Sequence, residues 1–313
     1  MREKSLIQQI RRRTRPRAAV PTGIGDDCAV LRLPAGNEVL VTTDFTLEDV
    51  HFRREWHPPE VVGWRCMTRG LSDIAAMGAE PRAAFLSLGL ARGTPQRWVN
   101  GFLSGLLEAA AEFRVTLAGG DTAESPTGIL ADIVLVGSVP KGKAVLRSGA
   151  LPGDGIFVTG ELGGSAAALA RLREGKVRAA DYERHFHPTA RVEVGQSLRR
   201  MASAMIDISD GLSTDLEHIC EESGVGAAVE AEAIPRATVG RLPKQVDLDL
   251  ALHGGEDYEL LFTSAKKIPA KIRGVPVTRI GQITRKRGME LIGKDGRRRR
   301  LVARGWEHFR GDL

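Results

Sequence analysis

The segment TGIGDDCAVL, residues 22–31, determines how the rest of the chain is interpreted. Two glycines permit a tight backbone turn, two adjacent carboxylates follow at once, and an apolar run then leads toward a strand. Adjacent carboxylates repel each other unless a cation lies between them, so the segment favours a cation site. A solvated turn closed by an Asx hydrogen bond is the alternative that this segment alone leaves open.

Four further aspartates stand beside glycine or hydroxyl residues at expected turns or element ends: Asp44, Asp73, Asp121 and Asp210. Asp73 falls in the C-terminal part of an expected helix, where the helix dipole disfavours an anion, and this suggests a compensating cation. Carboxylate oxygens select Mg²⁺ or Ca²⁺ over zinc or copper. The recurrence points to Mg²⁺ ions that join single carboxylates to substrate phosphates, although a cap or turn role explains each aspartate taken alone.

The sequence lacks the two commonest designs for phosphoryl transfer. It contains neither a Walker A lysine motif nor a kinase catalytic-loop signature, and no EF-hand spacing is present. Composition and spacing alone therefore support one hypothesis, an enzyme that binds Mg²⁺ and phosphate groups, and they do not identify its reaction.

Length and charge set broad limits on the protein. The 313 residues suit two domains, and hydrophobic residues make up 42% of the chain, enough for a sizeable core. Much of the net charge of +6 lies in basic runs at residues 11–17 and 297–300. This excess permits phosphate metabolites, nucleic acid or a membrane surface as partners. We expect the first run to be a solvated surface arm.

Cysteine usage and the termini predict a cytoplasmic protein. Cys28, Cys66 and Cys220 form no CxxC pair, so the sequence indicates neither a disulfide framework nor a zinc site. The N-terminal residues lack the apolar region of a signal peptide. No apolar run reaches the roughly 18 residues of a membrane span, so we expect no membrane association.

Hydrophobic periodicity, glycines and prolines divide the chain into alternating helices and strands. In the first half we predict helices at residues 3–13, 59–77 and 95–113, a buried strand at 38–44, and strands at 83–90, 115–118 and 129–139. In the second half we predict strands at 156–160, 204–208 and 258–262, helices at 164–172, 188–201 and 212–222, and short strands over 276–303 with a hairpin at 295–296.

A hinge is expected at KGK, residues 141–143, between a domain of residues 1–140 and one of residues 141–313. Each half carries one Ser-Asp pair, at residues 72–73 and 209–210, and one Gly-Gly-acid site, at 119–121 and 254–257. These short signals suggest two related α+β halves.

Taken together, the motifs resemble those of the thiamine-monophosphate kinases, a family of the aminoimidazole-ribonucleotide-synthetase-like superfamily. They occur in the family's order and span nearly the whole chain, so the ordered set is far more specific than any single motif. The matching segments are GIGDDCAVL at residues 23–31, TTD at 42–44, HF at 51–52, LSDIAAMGA at 71–79, GGDT at 119–122, RSGA at 147–150, IDISDGL at 206–212 and GGEDYEL at 254–260.

The resemblance implies transfer of the γ-phosphoryl group of ATP to thiamine monophosphate, which gives thiamine diphosphate and ADP as the last step of thiamine diphosphate biosynthesis. It implies an α+β fold made of two α/β halves. The N-terminal half would bind ATP and Mg²⁺ and contribute strands to a barrel in a homodimer. The C-terminal half, a mixed sheet with helices, would complete the active site.

Residue roles follow from the same resemblance. It implies that Mg²⁺ ions are held by Asp27, Thr42, Thr43, Asp44, Asp73, Asp121, Asp210 and Asp215. It implies that ATP meets Gly120, Asp121, Arg147, Leu212 and Ser213, and that thiamine monophosphate meets His51, Glu256 and Trp306. Asp44, Asp121 and Arg147 would act as electrostatic stabilisers. No general base is needed, because the acceptor phosphate is already ionised at about pH 7.

The sequence departs from the family pattern at three places. FTLED follows Asp44 where the family more often has a TLVEG-like run, and AES follows Thr122 in place of TRG. The helix after Pro95 lacks a tyrosine that would contact the adenine, and Phe102 there is either a substitute or, more simply, a core residue.

Two roles and two rival functions stay open. His51 is either a donor to the substrate phosphate or a capping histidine, and Trp306 either stacks on a cationic ring or anchors the C-terminus with Phe309. Another ATP-using member of the superfamily, such as a selenophosphate synthetase, is disfavoured because residues 1–20 contain no cysteine. A nucleic-acid binder is disfavoured because aromatic residues are only 5% of the chain and are not interleaved with the basic runs.

Overall fold

The computed structural model describes residues 3–15, 17–25, 28–175, 177–241 and 244–307. It divides the chain into two compact units. Unit 1 comprises Met1–Ile74 and Ala79–Lys143, and unit 2 comprises Ala75–Gly78 and Ala144–Leu313. Each unit combines helices with a β-sheet, so the α+β class is confirmed.

Unit 1 is built on one four-stranded sheet. The strands follow the order β1-β4-β2-β3, in which β2 and β3 are parallel and the other neighbours antiparallel. Its elements are α1 (Glu3–Arg13), β1 (Asn37–Leu47), α2 (Pro59–Ala76, whose last two residues fall in unit 2), β2 (Glu80–Ala91), α3 (Gln96–Glu112), β3 (Thr116–Ser125) and β4 (Leu130–Pro140).

Helices α2 and α3 pack closely on each other, and α2 lies against one face of this sheet. A Cβ at Gly63 would lie 1.9 Å from the carbonyl oxygen of Phe102, and one at Gly105 would lie 1.8 Å from that of Glu60. Only glycine permits this approach of two helix backbones. A Cβ at Gly70 of α2 would lie 2.7 Å from Leu135 of β4, which places α2 on the face that buries Leu135.

The opposite face of β1 is exposed, so the prediction of a buried strand is wrong. Val39, Val41 and Phe45 are 52%, 63% and 53% exposed, whereas Thr46 on the helix side is 2% exposed. The physical reason is that β1 is an edge strand covered on one face only. An apolar sequence run therefore indicated a strand correctly but did not reveal how much of it the chain itself buries.

Unit 2 contains a mixed sheet in the order β14-β13-β7-β12-β5-β10-β6, with β11 beside β12 and a separate β8-β9 pair. The β7-β13 pair is parallel and the other neighbours are antiparallel. Its elements are β5 (Gly155–Thr159), α4 (Gly164–Arg173), α5 (Glu183–Phe186), α6 (Val192–Leu198), β6 (Ala204–Ile208), α7 (Leu212–Ser223), β7 (Gly226–Glu230), β8 (Thr238–Val239), β9 (Lys244–Gln245), α8 (Leu248–His253), β10 (Glu259–Ser264), β11 (Lys271–Ile272), β12 (Val275–Thr284), β13 (Gly288–Ile292) and β14 (Arg298–Leu301).

The central strands of unit 2 are buried along their whole length and enclose an ionic network. Every residue of β5, β6 and β10 is buried. Glu259 accepts hydrogen bonds from Thr159 Oγ1 at 2.6 Å, from Arg191 Nε at 2.8 Å and from Arg184 Nη1 at 3.3 Å. A buried carboxylate is tolerated here because two guanidinium groups and a hydroxyl satisfy its oxygens.

Most predicted elements are confirmed to within a few residues, and α1 and β6 match at both ends. The prediction of a helix at residues 188–201 is wrong, because only Val192–Leu198 is α-helical. His187 precedes a proline, which disfavours helical angles, and it has φ −133° and ψ 65°. The prediction of a strand that ends at residue 118, before GGDT, is also wrong, since residues 119–122 lie inside β3. Within the described ranges, no helix has both the length and the apolar character that a bilayer crossing requires.

Candidate active site

Strand β1 presents Thr42 and Asp44 to α2, and α2 supplies their partners. The Thr42 hydroxyl donates a hydrogen bond to the Asp73 carboxylate. Arg69 Nη1 lies 3.2 Å from Asp44 Oδ1, and its side chain is only 10% exposed. The structure therefore brings together three of the predicted metal-binding residues, and it places a cation, Arg69, beside one of them.

Thr43 lies on the opposite face of β1. Successive side chains of a strand alternate between faces, so Thr43 points with Val41 and Phe45 while Thr42 and Asp44 point toward α2. The three residues of the TTD motif thus do not present their side chains as one cluster.

Asp121 is in the middle of the edge strand β3. The residue of β1 that is aligned with it across the sheet is Phe45, not Asp44. The pairing register aligns Asp121 with Ser87, Ser87 with Asp132, and Asp132 with Phe45. Asp121 and Asp44 are three strand spacings apart, about 14 Å along the sheet. Within one chain this is too far for a single Mg²⁺, whose ligands lie at about 2.1 Å.

Asp132 is a carboxylate that sequence reasoning missed. It shares the row of Asp121, about 10 Å away across β2. Partial burial raises its pKa, and a backbone hydrogen bond from Asp44 acts in the opposite direction. The available signal was an acidic residue inside the otherwise apolar strand LADIVLVG.

A cleft of about 570 Å³ opens beside Asp121, within unit 1. We call it the Asp121 cleft. It joins the two glycine motifs, because Gly25 and Gly120 both line it, and its size is that of a small-molecule site. Glycines and polar residues form one part of its lining: Gly23, Gly25, Gly119, Gly120, Asp121 and Thr122. The other lining residues are apolar side chains and one cysteine: Ile7, Ile10, Ile24, Ala29, Phe85, Leu86, Leu117, Ala118 and Cys28.

Glycine is required at both motifs of this cleft. Gly120 has φ 146°, and a Cβ there would lie 1.9 Å from the Leu86 carbonyl oxygen. Gly25 has φ 123°, and a Cβ there would lie 2.6 Å from Arg11 Cζ. The guanidinium of Arg11 therefore lies directly on the glycine segment at the cleft. Asp26 and the predicted ligand Asp27 lie outside the described residues.

His51 lies just after β1 in a defined tautomer. The Leu47 N–H donates to His51 Nδ1 at 3.0 Å, so Nδ1 acts as an acceptor in this geometry and the proton of the neutral ring resides on Nε2. The hydrogen bond from Leu47 shows that His51 holds the backbone just after β1, as a capping histidine would, and its role toward the substrate phosphate stays a prediction.

Phe102 is a core residue. It is fully buried and stacks on Trp98 with a centroid separation of 5.5 Å. The simpler of the two sequence interpretations is therefore confirmed, and Phe102 does not offer a face to adenine within this chain.

In unit 2, the loop that carries Asp210 is held by Asp215. Asp215 accepts hydrogen bonds from the N–H groups of Asp210 at 3.3 Å and Gly211 at 3.0 Å. Burial raises the pKa of Asp215 well above its ordinary value, and the charges of Asp207 and Asp210 raise it further. Three carboxylates thus lie near one another at the start of α7, where added positive charge would be stabilising.

The GGEDY segment packs on this loop in an unusual backbone conformation. The Glu256 N–H donates to the Ser209 carbonyl at 2.7 Å, and Glu256 and Tyr258 have φ of 65° and 52°. Side-chain-bearing residues rarely adopt this region, and such strain is found preferentially at functional sites. A Cβ at Gly255 would lie 2.5 Å from the same carbonyl oxygen, which explains the glycine.

Trp306 lies against the Asp210 loop. Its backbone N–H donates to the Asp210 carbonyl at 3.0 Å, while its side chain is 51% exposed. The Gly305 N–H bonds to Thr214 Oγ1 at 3.0 Å, which anchors the segment on α7. The structure thus brings Asp210, Glu256 and Trp306 together, and Phe309, the alternative partner of Trp306, lies outside the described residues.

Leu212 and Ser213 begin α7 with buried side chains. Ser213 Oγ bonds to His253 Nδ1 at 2.7 Å, and Arg304 Nη2 lies 2.8 Å from the other ring nitrogen. Burial and the charge of Arg304 lower the pKa of His253. Contacts to a nucleotide at this position would therefore come from backbone N–H groups of the first helical turn, which lack intrahelical acceptors.

Arg147 lies at the other end of α7. The N–H groups of Gly149 and Ala150 both donate to Ser223 Oγ at 3.1 Å, and that hydroxyl donates to the Arg147 carbonyl. Ser223 ends α7, about 16 Å along the axis from its first residue. The structure therefore does not bring the exposed Arg147 to the Asp210 loop.

No preformed metal site is present among the described residues. Across those ranges, no three or more His, Cys, Asp or Glu side chains are grouped so that they could hold an ion. Mg²⁺ is usually held by one or two carboxylates together with substrate phosphates and water, so the dispersed aspartates remain suitable donors.

Comparisons with known proteins agree with this architecture. Residues 25–139 match the AIR synthase related protein, N-terminal domain, and residues 152–294 match the AIR synthase related protein, C-terminal domain. The chain is 39% identical to a thiamine-monophosphate kinase from Salmonella typhimurium, with 98% of each chain covered.

Two solved structures are similar over nearly the whole chain. Thiamine-monophosphate kinase from Stenotrophomonas maltophilia K279a is 37% identical, with a TM-score of 0.82 and coverage of 93% of this chain and 96% of that one. AaThiL complexed with AMPPCP and TMP is 31% identical, with a TM-score of 0.78 and coverage of 99% of each chain.

Proposed function

We propose, because this chain belongs to the thiamine-monophosphate kinase family, that it transfers the γ-phosphoryl group of ATP to thiamine monophosphate. The products are thiamine diphosphate and ADP. The observation that carries the proposal is the Asp121 cleft, in which the glycine motifs at residues 23–25 and 119–122 meet beside a carboxylate. The AaThiL relative was solved with AMPPCP, an ATP analogue, and TMP, which supports both substrates.

ATP suits the Asp121 cleft because the lining combines two kinds of group. Glycine backbone and the Asp121 carboxylate are polar, and Ile7, Ile10 and Phe85 are apolar. A nucleotide likewise combines a polyanionic tail with a base of low polarity. We assign Gly120 and Asp121 to the phosphates, and Leu212 and Ser213 to a backbone contact at the start of α7.

The donor set fits Mg²⁺. Asp44, Asp73 and Asp121 are hard oxygen donors in unit 1, and Asp210 and Asp215 are such donors in unit 2. Burial is the main cause of the raised pKa of Asp215, and the charges of Asp207 and Asp210 raise it further, so a cation beside these carboxylates would favour the ionised form. Thr42, Thr43 and Asp27 complete the set that the family resemblance implies. When bound, Mg²⁺ supplies neutralisation of the phosphates and a clamp on both ends of an in-line displacement.

The chain's own residues oppose the repulsion between two anionic substrates. Unit charges at about 4 Å repel by roughly 4 kcal/mol at an effective dielectric near 20. The family resemblance also implies a charge-assisted contact from Arg147 to ATP, but the position of Arg147 at the far end of α7, about 16 Å from Leu212, does not support that contact within one chain. His51 would donate from Nε2 to the phosphate of thiamine monophosphate, since Nδ1 is occupied by the Leu47 N–H. The ionised acceptor oxygen attacks without a general base.

Thiamine monophosphate is assigned to Glu256 and Trp306. Both lie against the Asp210 loop, and the exposed indole of Trp306 offers a face to the cationic thiazolium ring. Glu256 has a strained backbone, with φ 65°, of the kind found preferentially at functional sites.

A homodimer is supported by the open face of β1. Three large apolar side chains, Val39, Val41 and Phe45, are exposed on an edge strand, where unpaired backbone groups are also available. We propose that the four-stranded sheet closes into a barrel with the sheet of a second copy. Unit 1 then serves ATP, Mg²⁺ and dimer formation, and unit 2 completes the active site.

A cytoplasmic location is proposed with the function. All three cysteines are free thiols, and Cys28 is exposed, which suits a reducing compartment.

The proposal is tested by incubating the purified protein with ATP, Mg²⁺ and thiamine monophosphate and separating the products by chromatography. Thiamine diphosphate and ADP should appear in equal amounts, and free thiamine should not replace the monophosphate as acceptor. Release of ADP without thiamine diphosphate would overturn the proposal.

A further inference from the structure

A second cleft of unit 1 is lined by three arginines that the proposed reaction does not use. Arg13, Arg15 and Arg17 form one side of a space of about 440 Å³, and the C-terminal half of α3 with the start of β3 forms the other. We call it the arginine cleft. It shares only Leu117 with the Asp121 cleft. We propose that the arginine cleft binds a phosphate-bearing small molecule.

The three arginines have no ion-pair partner in the part of the chain that the structure describes, since no carboxylate there pairs with Arg13, Arg15 or Arg17. Arg13 Nη1 donates to the carbonyl oxygen of Asn100 at 3.2 Å. Arg17 is partly exposed, but its Nε is buried and has no acceptor among the described residues. A buried N–H without an acceptor is costly, and an adjacent anion would offset that cost.

The cleft remains positive after its neighbours are counted. Three guanidinium groups and the Glu108 carboxylate give +3 − 1 = +2. The C-terminal end of α3 contributes about half a negative charge, which leaves about +1.5. Guanidinium groups match phosphate oxygens in pairs, so several of them favour an anion with three or more oxygens.

The shape of the cleft favours a small molecule over a nucleic acid. Its volume lies in the range of small-ligand pockets, about 300–1,000 Å³. Its floor is apolar, with Leu107, Ala110 and Val115, and no aromatic side chain lines it. Single-stranded nucleic acids bind by stacking on aromatic residues. A compact phosphate ester or diphosphate with an apolar portion therefore fits the arginine cleft best.

The test uses pyrophosphate as the probe, with the full chain in EDTA at low salt and isothermal titration calorimetry as the readout. The variant R13Q/R15Q/R17Q removes the three charges of the cleft. The control R297Q/R299Q/R300Q removes the same charge from the basic run of unit 2. The thermal melting of each variant establishes that it is folded.

Wild type and control should bind pyrophosphate alike, and R13Q/R15Q/R17Q should bind about tenfold or more weakly, the loss expected from even one charge-assisted contact. Pyrophosphate should also protect Arg15 from an arginine-directed reagent, detected by peptide mass spectrometry. Equal binding by wild type and R13Q/R15Q/R17Q, or no binding without Mg²⁺, would overturn the proposal.

A further arm separates the two sources of phosphate. If a single-stranded oligonucleotide binds the cleft with a steep salt dependence while pyrophosphate does not bind, the ligand is a nucleic acid and the proposal fails. Because the assay contains neither Mg²⁺ nor thiamine monophosphate, its outcome is independent of the kinase reaction.

Discussion

Strand β1 of unit 1 leaves one face open, whereas the central strands of the sheet in unit 2 are buried on both faces. In β1, Val39, Val41 and Phe45 are more than half exposed. In β10 every residue is buried, and Glu259 is neutralised inside the unit by Arg191 and Arg184. Unit 1 thus exposes an apolar surface on an edge strand, while the central strands of unit 2 satisfy even a buried carboxylate from within the unit.

The two units also differ in the groups that surround their carboxylates. In unit 1, Asp44 lies beside Arg69, and Asp73 accepts a hydrogen bond from Thr42. In unit 2, Asp215 faces Asp207 and Asp210. The two units therefore differ in what lies beside their carboxylates, a guanidinium and a hydroxyl group in unit 1 and further carboxylates in unit 2.

The largest expected effect is on turnover and results from a substitution in the Asp121 cleft. Asp121→Asn should lower kcat by about 100-fold or more, because the transferring phosphoryl group loses electrostatic stabilisation. Asp121 is exposed on an edge strand, so thermal melting should change little.

The matched control is Glu124→Gln, an exposed acid of the same strand that pairs with Arg92. It should retain wild-type turnover. Asp44→Asn should also lose turnover, but it additionally removes the charge of the Asp44 carboxylate from its ion pair with Arg69, so its melting temperature should fall as well. Unchanged turnover in folded Asp121→Asn would contradict the assigned role.

The open face of β1 is tested next. Val41→Glu places a carboxylate in the proposed interface and should weaken the dimer by about 100-fold or more, since an unpaired buried charge is costly. Size-exclusion chromatography with light scattering measures the change. Leu151→Glu, at an exposed position of unit 2, should leave the dimer intact. If the wild type is a monomer at all concentrations, the interface assignment is wrong.

The closed interior of unit 2 predicts a stability effect. Glu259→Gln should lower the free energy of unfolding by about 3 kcal/mol, because two guanidinium groups lose their buried partner. Urea denaturation measures the loss. Glu124→Gln, which removes an exposed pair in unit 1, serves again as control and should have no measurable effect. Equal stability of the two variants would remove the contrast between the units.

The buried carboxyl group of Asp257, in unit 2, leads us to expect that stability depends on pH. Burial raises the pKa of this carboxyl from 3.8 to about 7, although the N–H groups of Gly163 and Ser165 act against the rise. The folded state thus binds this proton more tightly than the unfolded state between those values, so stability from this group falls as pH rises through that window.

Asp257→Asn does not titrate and supplies the reference. The melting temperature of wild type minus that of Asp257→Asn should decrease from pH 4 to pH 7 and level off above about pH 8. A difference that rises with pH would show that the carboxylate, rather than the acid, is the favoured form.

The smallest effect concerns thiol reactivity. Cys28 is exposed and lines the Asp121 cleft, whereas burial raises the pKa of Cys66 and Cys220 to about 12. Iodoacetamide at about pH 8 should label Cys28 alone, and MgATP should slow that labelling. Labelling of Cys66 at a similar rate, or no protection by MgATP, would count against the cleft assignment.

Sequence patterns predicted local structure well where local rules decide it. Hydrophobic periodicity predicted α1 at residues 3–13, and Gly224 ends α7 in a left-handed cap close to the predicted end at residue 222. Both signals depend on neighbouring residues of the chain. The order of the motifs along the chain identified the family.

Features set by pairing between distant strands were not predictable in the same way. The register between strands separates Asp44 from Asp121 and aligns Asp132 with Asp121 across β2. This register depends on four strands that are far apart in sequence. The exposure of β1 depends on its edge position. The placement of Arg147 at the far end of α7 depends on Ser223, which no motif contains.

Aspartates of each unit are proposed to bind Mg²⁺ when both substrates are present. Mn²⁺ bound to the chain with AMPPCP and thiamine monophosphate can be counted by electron paramagnetic resonance for wild type, Asp121→Asn and Asp210→Asn. The account predicts several ions per wild-type chain and fewer in each variant. Wild-type ion counts in both variants would contradict it.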